Sequence, residues 1–213
     1  MRFFNPKRYA AINTKVEKLI KANAIWEAHY PEWITNVVLV NKANGKWRVC
    51  MDFTDLSQAC PKDSFPLPRI DQLVDATARH QLLSFMDAYS KYNQIQMALE
   101  DKEKTAFITI QGLYCYKVMS FDLKNAGATY QHLVNKMFVE LIGKSMEVYV
   151  DDMLVKSLLG EEHIRHLEQT FQVLKRYRMR LNPAKYLVSR LGNSLDSWYI
   201  TEESKPNPKR YKH

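Results

Sequence analysis

Two adjacent aspartates, Asp151 and Asp152, follow directly on the apolar and aromatic run Met146 to Val150, and a third, Asp87, closes the apolar segment Leu82-Leu83-Ser84-Phe85-Met86. Aspartate at a hairpin tip has an ordinary explanation, because its side chain bonds the turn backbone. Here no Gly or Asn separates the acids from the strand-like run. A carboxylate at the end of an apolar strand is costly unless a cation or hydrogen bonds compensate it. If the two strands are neighbours in one sheet, the carboxylates converge and repel, and a hard divalent cation such as Mg²⁺ relieves the repulsion with oxygen ligands. Two such ions about 4 Å apart serve nucleotidyl transfer, one activating a hydroxyl and the other stabilising a leaving pyrophosphate.

A triphosphate also needs positive charge. Lys46 and Arg48 could supply it: Arg through paired hydrogen bonds, Lys as a point charge. They belong to a strand-like run, Lys46 to Phe53, that is separated from another, Asn36 to Lys42, by Asn44-Gly45, a dipeptide suited to a type I′ hairpin turn. Alternation puts Lys46, Arg48, Cys50 and Asp52 on one face and Trp47, Val49, Met51 and Phe53 on the other. Lys42 is a weaker candidate for phosphate contact.

Other elements must position these groups. Thr14-Lys15-Val16-Glu17 fits a capping box, predicting a helix from there to about Asn23 with Val16, Leu19 and Ile20 at apolar spacing and Lys15, Lys18 and Lys21 on a positive face. A proline-punctuated connection from Cys60 to Pro68 leads into a short helix carrying Ile70, Leu73 and Val74. A second hairpin is expected over Thr105 to Ile110 and Leu113 to Met119, turning at Gln111-Gly112. Spacing from Tyr130 to Ile142 predicts a long helix stopped by Gly143, and a last helix after Gly160 has Ile164, Leu167, Phe171 and Leu174 as its core stripe. From Asn182 onward the pattern weakens into a basic tail.

Composition bounds the alternatives. A chain of 213 residues, 46% hydrophobic and 12% aromatic, can bury a core of its own. No run approaches the roughly 18 consecutive apolar residues of a membrane span. A soluble, intracellular chain that is not secreted is expected, with no membrane partner. Three cysteines without CxxC spacing suggest neither a disulfide framework nor a zinc knuckle, and His163 with His166 lacks the further ligands a tetrahedral zinc site requires. A formal charge of +8 favours a polyanionic partner.

At Tyr149-Val150-Asp151-Asp152 the sequence resembles the YxDD box of reverse transcriptases. Further ordered blocks resemble the gypsy-type (Metaviridae) long-terminal-repeat retrotransposon family: His29-Tyr30-Pro31-Glu32-Trp33, Asn44-Gly45-Lys46-Trp47-Arg48, Ala59-Cys60-Pro61-Lys62-Asp63, Phe65-Pro66-Leu67-Pro68-Arg69-Ile70-Asp71, Glu103-Lys104-Thr105-Ala106-Phe107 and Leu123-Lys124-Asn125-Ala126-Gly127-Ala128. The likeness spans roughly residues 10 to 190.

The resemblance implies an α+β right-hand polymerase fold, with fingers and palm, an antiparallel palm sheet packed on helices, and a thumb missing or incomplete. It implies fingers over 1–82 and 100–120, palm over 83–99 and 121–190, and a degenerate primer-grip region with a loose tail over 191–213. Asp87, Asp151 and Asp152 become the catalytic, metal-binding triad for two Mg²⁺ ions, with Mn²⁺ able to substitute. Lys46 and Arg48 grip the triphosphate; Tyr92 stacks under the deoxyribose and disfavours a 2′-hydroxyl; Phe121 lines the nucleotide pocket. Lys124, Gln131 and Tyr149 lie near template or primer. The implied partners are an RNA or DNA template with its primer, and dNTP substrates. The implied setting is a cytoplasmic virus-like particle or the nucleus.

The chain departs from the family at three glycine positions, now Lys91, Asp122 and Asp196. If the glycine at 122 requires a positive φ, Asp122 brings strain there. The alternative function is therefore an impaired or dead element remnant that retains the fold and non-specific nucleic-acid binding.

Overall fold

The computed structural model describes residues 6–41, 43, 45, 47–66, 69–149 and 152–190. The chain divides into two compact units, one formed by residues up to 64 with 92–127, the other by 65–91 with 128 onward. The sequence suggested boundaries at 82/83, 99/100 and 120/121. The helix at Ile70–Thr77 belongs instead with the second unit, where Ala76 O accepts a hydrogen bond from Lys156 Nζ at 3.0 Å.

The first unit is a five-stranded sheet with helices. Its strands are β1 (Ile25–Glu27), β2 (Thr35–Asn41), β3 (Trp47–Met51), β5 (Phe107–Thr109) and β6 (Gly112–Tyr116), in the order β1-β6-β5-β2-β3. The β2/β5 pair is parallel and the others are antiparallel. Helices α1 (Pro6–Lys21), α2 (Thr54–Ala59) and α4 (Leu99–Lys102) accompany it. Ile12, Val16 and Leu19 of α1 bury with Val37, Met51, Phe53 and Phe107. The apolar face of β3 is thus the one that alternation assigned, and Arg48 is exposed on the other.

Three local expectations are corrected. Helix α1 starts at Pro6, eight residues before Thr14; apolar packing by Ile12 outweighs a capping motif that falls mid-helix. Ile20 is 47% exposed, outside the buried stripe. In the first hairpin Asn41 pairs with Trp47, so the pairing centres on position 44 and leaves a five-residue connection; a two-residue turn over Asn44-Gly45 does not fit that register. Gly45 does adopt a positive φ of 73°, while Asn44 lies outside the described residues. In the second hairpin Thr109 pairs with Gly112, so the turn is Ile110-Gln111. Thr109 Oγ1 accepts from Gln111 N (3.2 Å) and donates to Gly112 O (3.1 Å), which closes the turn one residue early.

The second unit holds an antiparallel sheet in the order β7-β8-β4-β9, from β4 (Leu82–Asp87), β7 (Met146–Tyr149), β8 (Asp152–Ser157) and β9 (Leu187–Arg190). Helices α3 (Ile70–Thr77) and α6 (His163–Arg176) belong to it, as does α5 (Ala126–Met137) from Ala128 on. Tyr130, Val134 and Phe138 are fully buried, and the helix passes into turns before the positive φ of Gly143. On α6 the buried positions are His163, Thr170 and Leu174, while Ile164 is 69% and Phe171 42% exposed. The buried stripe is therefore shifted from the expected one. Polar residues occupy it because His163 bridges Ser84 Oγ and Ser157 Oγ, each at 2.8 Å, and Thr170 Oγ1 donates to His166 O at 2.9 Å.

Candidate active site

Strand β8 carries Met153 and Val155 at zero exposure, and β4 carries Leu83 and Met86 at 1% and 2%. Both faces of β8 are buried along Met153 to Ser157, and the register follows from the continuous antiparallel pairing of Leu82–Asp87 with Asp152–Ser157. In that register Asp87 faces Asp152 across neighbouring antiparallel strands, and Asp152 pairs on its other side with Tyr149. Directly opposed residues place their Cβ atoms roughly 4.5–5.5 Å apart, close enough for two carboxylates to share an ion. Tyr149 and Asp152 are joined through positions 150 and 151, and Asp151 lies outside the described residues, as do Lys46, Lys42 and Asp196. Among the described residues no group of three or more metal-ligating side chains forms; two members of the expected triad are brought together.

A residue that the sequence did not single out joins them. Segment 180–185 lies along the end of β4: Tyr89 N donates to Arg180 O (2.9 Å), Asn182 N donates to Asp87 O (2.8 Å), and Ala88 bridges Leu181. A turn at Pro183–Lys185, capped by Asn182 Oδ1 accepting from Ala184 N at 3.2 Å, then delivers Lys185 Nζ to Asp87 Oδ2 as an ion pair. The Asn182-Pro183 pair was the local signal, a side-chain cap followed by a residue with preset φ. Oxygen-only donors in a converging pair, with a cation already drawn to one of them, fit a hard divalent ion by their chemistry.

The remaining sites fall as follows. Arg48 is exposed on β3. In the first unit Tyr92 is 8% exposed and packs its ring on Phe121, centroids 5.6 Å apart at 59°, while Phe121 is 62% exposed. A buried ring with one open aromatic neighbour is a rigid platform. Lys124 is exposed, but its Nζ donates to Ser57 O (2.8 Å) and Cys60 O (2.7 Å), at the carboxyl end of α2. Beside it Asn125 accepts from Asp63 N (3.1 Å) and donates to Pro61 O (2.9 Å), so two motif blocks distant in sequence are tied together. Gln131 has zero exposure and donates to Asn135 Oδ1 at 2.9 Å, which leaves it no open surface for a template strand. Its amide was hard to distinguish from a surface one by sequence, since its neighbours in α5 alternate between both environments.

The departures at the glycine positions 91 and 122 are accommodated; Asp196 lies outside the described residues. Among the described non-glycine residues, positive φ occurs at Asn23, Tyr30, Ser90 and Arg178, not at Lys91 or Asp122. Asp122 Oδ2 accepts from Met51 N at 3.2 Å, and Lys91 is buried with Nζ 5.4 Å from the centre of the Tyr130 ring. The strain envisaged for Asp122 is absent.

The chain is 28% identical over 206 residues to the Retrovirus-related Pol polyprotein from transposon 297 of Drosophila melanogaster, covering 94% of this chain and 20% of the relative. It is 28% identical to the gypsy Pol polyprotein of the same organism (82% and 17% covered) and to the Transposon Tf2-3 polyprotein of Schizosaccharomyces pombe (93% and 15%). The chain therefore spans about a fifth or less of these relatives' length. Among solved structures, the foamy viral protease-reverse transcriptase in complex with RNA/DNA hybrid matches with a TM-score of 0.79 at 18% identity, over 89% of this chain and 25% of that one. The native Prototype Foamy Virus Protease-Reverse Transcriptase matches with 0.76 at 22% identity, over 87% and 24%. The α+β polymerase architecture expected from the sequence is thereby shown. The profile of the reverse transcriptase (RNA-dependent DNA polymerase) family matches residues 40–205, and the chain belongs to that family.

Proposed function

We propose that this chain is the RNA-directed DNA polymerase domain of a long-terminal-repeat retrotransposon polyprotein. A primer 3′-hydroxyl attacks the α-phosphorus of a deoxynucleoside triphosphate; the new O–P bond forms as the bond to the β-phosphate oxygen breaks and pyrophosphate leaves. The observation that carries this reading is the direct opposition of Asp87 and Asp152, with Asp151 adjoining in sequence. These three carboxylates would hold the two Mg²⁺ ions, or Mn²⁺ in their place, which lower the charge barrier between hydroxyl and phosphate.

The chain's other residues bind and orient. Arg48 and Lys46 neutralise the triphosphate, and Tyr92, held rigid by burial, supports the sugar and leaves no room for a 2′-hydroxyl. In this reading the first unit supplies fingers and the second palm, and template and primer pass over Tyr149. The foamy viral relatives were solved with dsDNA and with RNA/DNA hybrid, which supports a primed template as partner. No helix among the described residues is long and apolar enough to cross a membrane, in keeping with work inside a virus-like particle or the nucleus. The acceptance of Asp122 and Lys91 without backbone strain favours a working copy over a dead remnant.

Primer extension on an RNA template with Mg²⁺ or Mn²⁺ tests the proposal. Incorporation by the wild-type chain and its loss in Asp151→Asn is expected. Equal signal from both, or none from either, would remove the catalytic assignment.

A further inference from the structure

In the second unit β4 lies between β8 and β9, which sets Asp87 between an anion and a cation. Asp152 faces it from β8; on the other flank runs the segment that leads into β9 and carries Lys185. That segment grips β4 by its backbone: Tyr89 N donates to Arg180 O, Asn182 N donates to Asp87 O, and Leu187 and Val188 pair with Phe85 and Ser84. Between these stretches it forms the turn Pro183–Lys185, where Asn182 Oδ1 accepts from Ala184 N and Asn182 O accepts from Lys185 N at 3.1 Å. Tyr186 OH, 3.2 Å from Ser84 Oγ, then fixes the return to the strand. One short segment thus holds both ends of Asp87, its carbonyl through Asn182 and its carboxylate through Lys185.

We infer, on the reading that these carboxylates hold the ions, that Lys185 is a positioning residue for Asp87. It is a tethered cation that occupies the ion's place until a divalent ion displaces it, and so sets the ion concentration at which the site fills. The magnitudes permit this exchange. The Asp87 side chain is 16% exposed and that of Lys185 57%, so the pair is open to water on one side and screened. Such a pair shifts an equilibrium by at most about fivefold, too little to exclude a divalent ion held by two or more carboxylates. A fully buried pair would resist displacement, because separation would strand two charges away from water. Release of the ammonium needs only rotations of a flexible four-carbon stem, while the backbone bonds keep Asp87 in register. Linkage then makes the two cations rivals: whatever the ammonium gains on Asp87, the ion must give up.

The test is titration of the full chain, free of nucleic acid, with Mn²⁺, following the free ion by electron paramagnetic resonance. Lys185→Met should tighten the strongest class of Mn²⁺ site about two- to fivefold, the screened strength of the pair. Lys185→Arg, which keeps a cation on the segment, should bind like wild type. The sign separates competition from a purely structural role, because loss of a strut would let Asp87 wander and weaken the site. In EDTA Lys185→Met should melt below wild type, and saturating Mn²⁺ should close the gap. Lys175→Gln, which removes an exposed charge from α6 of the same unit, should leave Mn²⁺ affinity unchanged. Circular dichroism verifies that each variant is folded. Unchanged or weaker Mn²⁺ binding by Lys185→Met would overturn the inference, as would equal tightening in Lys185→Arg or Lys175→Gln. In those cases wild-type Mn²⁺ binding that Asp151→Asn abolishes would leave the metal-site reading standing. No Mn²⁺ binding by wild type would bring down both.

Discussion

Replacing Asp152 with Asn should make the chain more stable when divalent ions are removed. In the β4/β8 register Asp152 faces Asp87, and two carboxylates whose Cβ atoms lie roughly 5 Å apart would repel by up to about 3 kcal/mol in surroundings of effective dielectric near 20. Lys185, paired with Asp87 but more than half exposed and correspondingly screened, offsets part of this, as do the contacts that Asp152 itself makes. A net gain of about 1–2 kcal/mol is left for Asp152→Asn, which keeps the side chain's shape while removing one charge. For a chain of this size that corresponds to a rise of about 2–8 °C in the thermal midpoint. The measurement is differential scanning calorimetry with EDTA and again with Mg²⁺. Wild type should gain with Mg²⁺, by about 2.7 kcal/mol at a hundredfold excess over its Kd, and the variant should gain much less. A variant that melts below wild type in EDTA, or that responds to Mg²⁺ as wild type does, would refute the idea that this pair is held apart for a cation.

Asp122→Gly should lower stability by about 1 kcal/mol through loss of the bond from Met51 N, and should not raise incorporation, because no positive φ is relieved there; urea denaturation and primer extension measure the two halves. Tyr92→Ala should cost about 3 kcal/mol, read from urea denaturation, by emptying a buried ring's place, whereas Tyr92→Phe, which retains the packing on Phe121, should cost less. Stability should also fall with acid. Burial lowers the pKa of His163, with His166 adding to it, and burial lowers that of His80, with Lys156 adding to it, each from an ordinary 6.5. The unfolded chain therefore takes up protons first: stability is complete above 6.5 and declines as pH drops below it, which urea midpoints between about pH 8 and pH 5 will reveal. A flat profile over that range would contradict the burial of these two rings.

The opposition of Asp87 and Asp152 was legible in the sequence because an acid at the end of an apolar run conflicts with its surroundings, and that conflict survives without coordinates. Strand alternation likewise assigned the faces of β3. What remained hidden depended on partners distant in the chain. The buried stripe of α6 includes His163 and Thr170, which read as polar surface until Ser84, Ser157 and the His166 carbonyl are brought to them. Strand β9 is four residues long with only a half-apolar alternation, too brief to stand out from loop, and is made a strand by the free edge of β4. Lys185 belonged to a segment without periodicity, and only the turn at Pro183 gives it Asp87 as a neighbour. Lys124 was expected near template or primer and Asn125 only as part of a family block, whereas the fold uses both side chains as cross-ties to the segment around Cys60.

The cross-strand pairing of Asp87 with Asp152 also sets a schedule. During synthesis Asp87 leaves the ribosome 65 residues ahead of its counterpart, and Lys185 follows 33 residues after that. Until β8 docks, the emerging chain has a lone acid at a strand end and no place for an ion. If the pair holds Mg²⁺ as proposed, a nascent chain halted before Asp152 would be blind to it, and the ion would recognise only a chain whose sheet has closed. Divalent ions would then act as an inspector of finished folding, stabilising completed domains while offering nothing to abandoned ones.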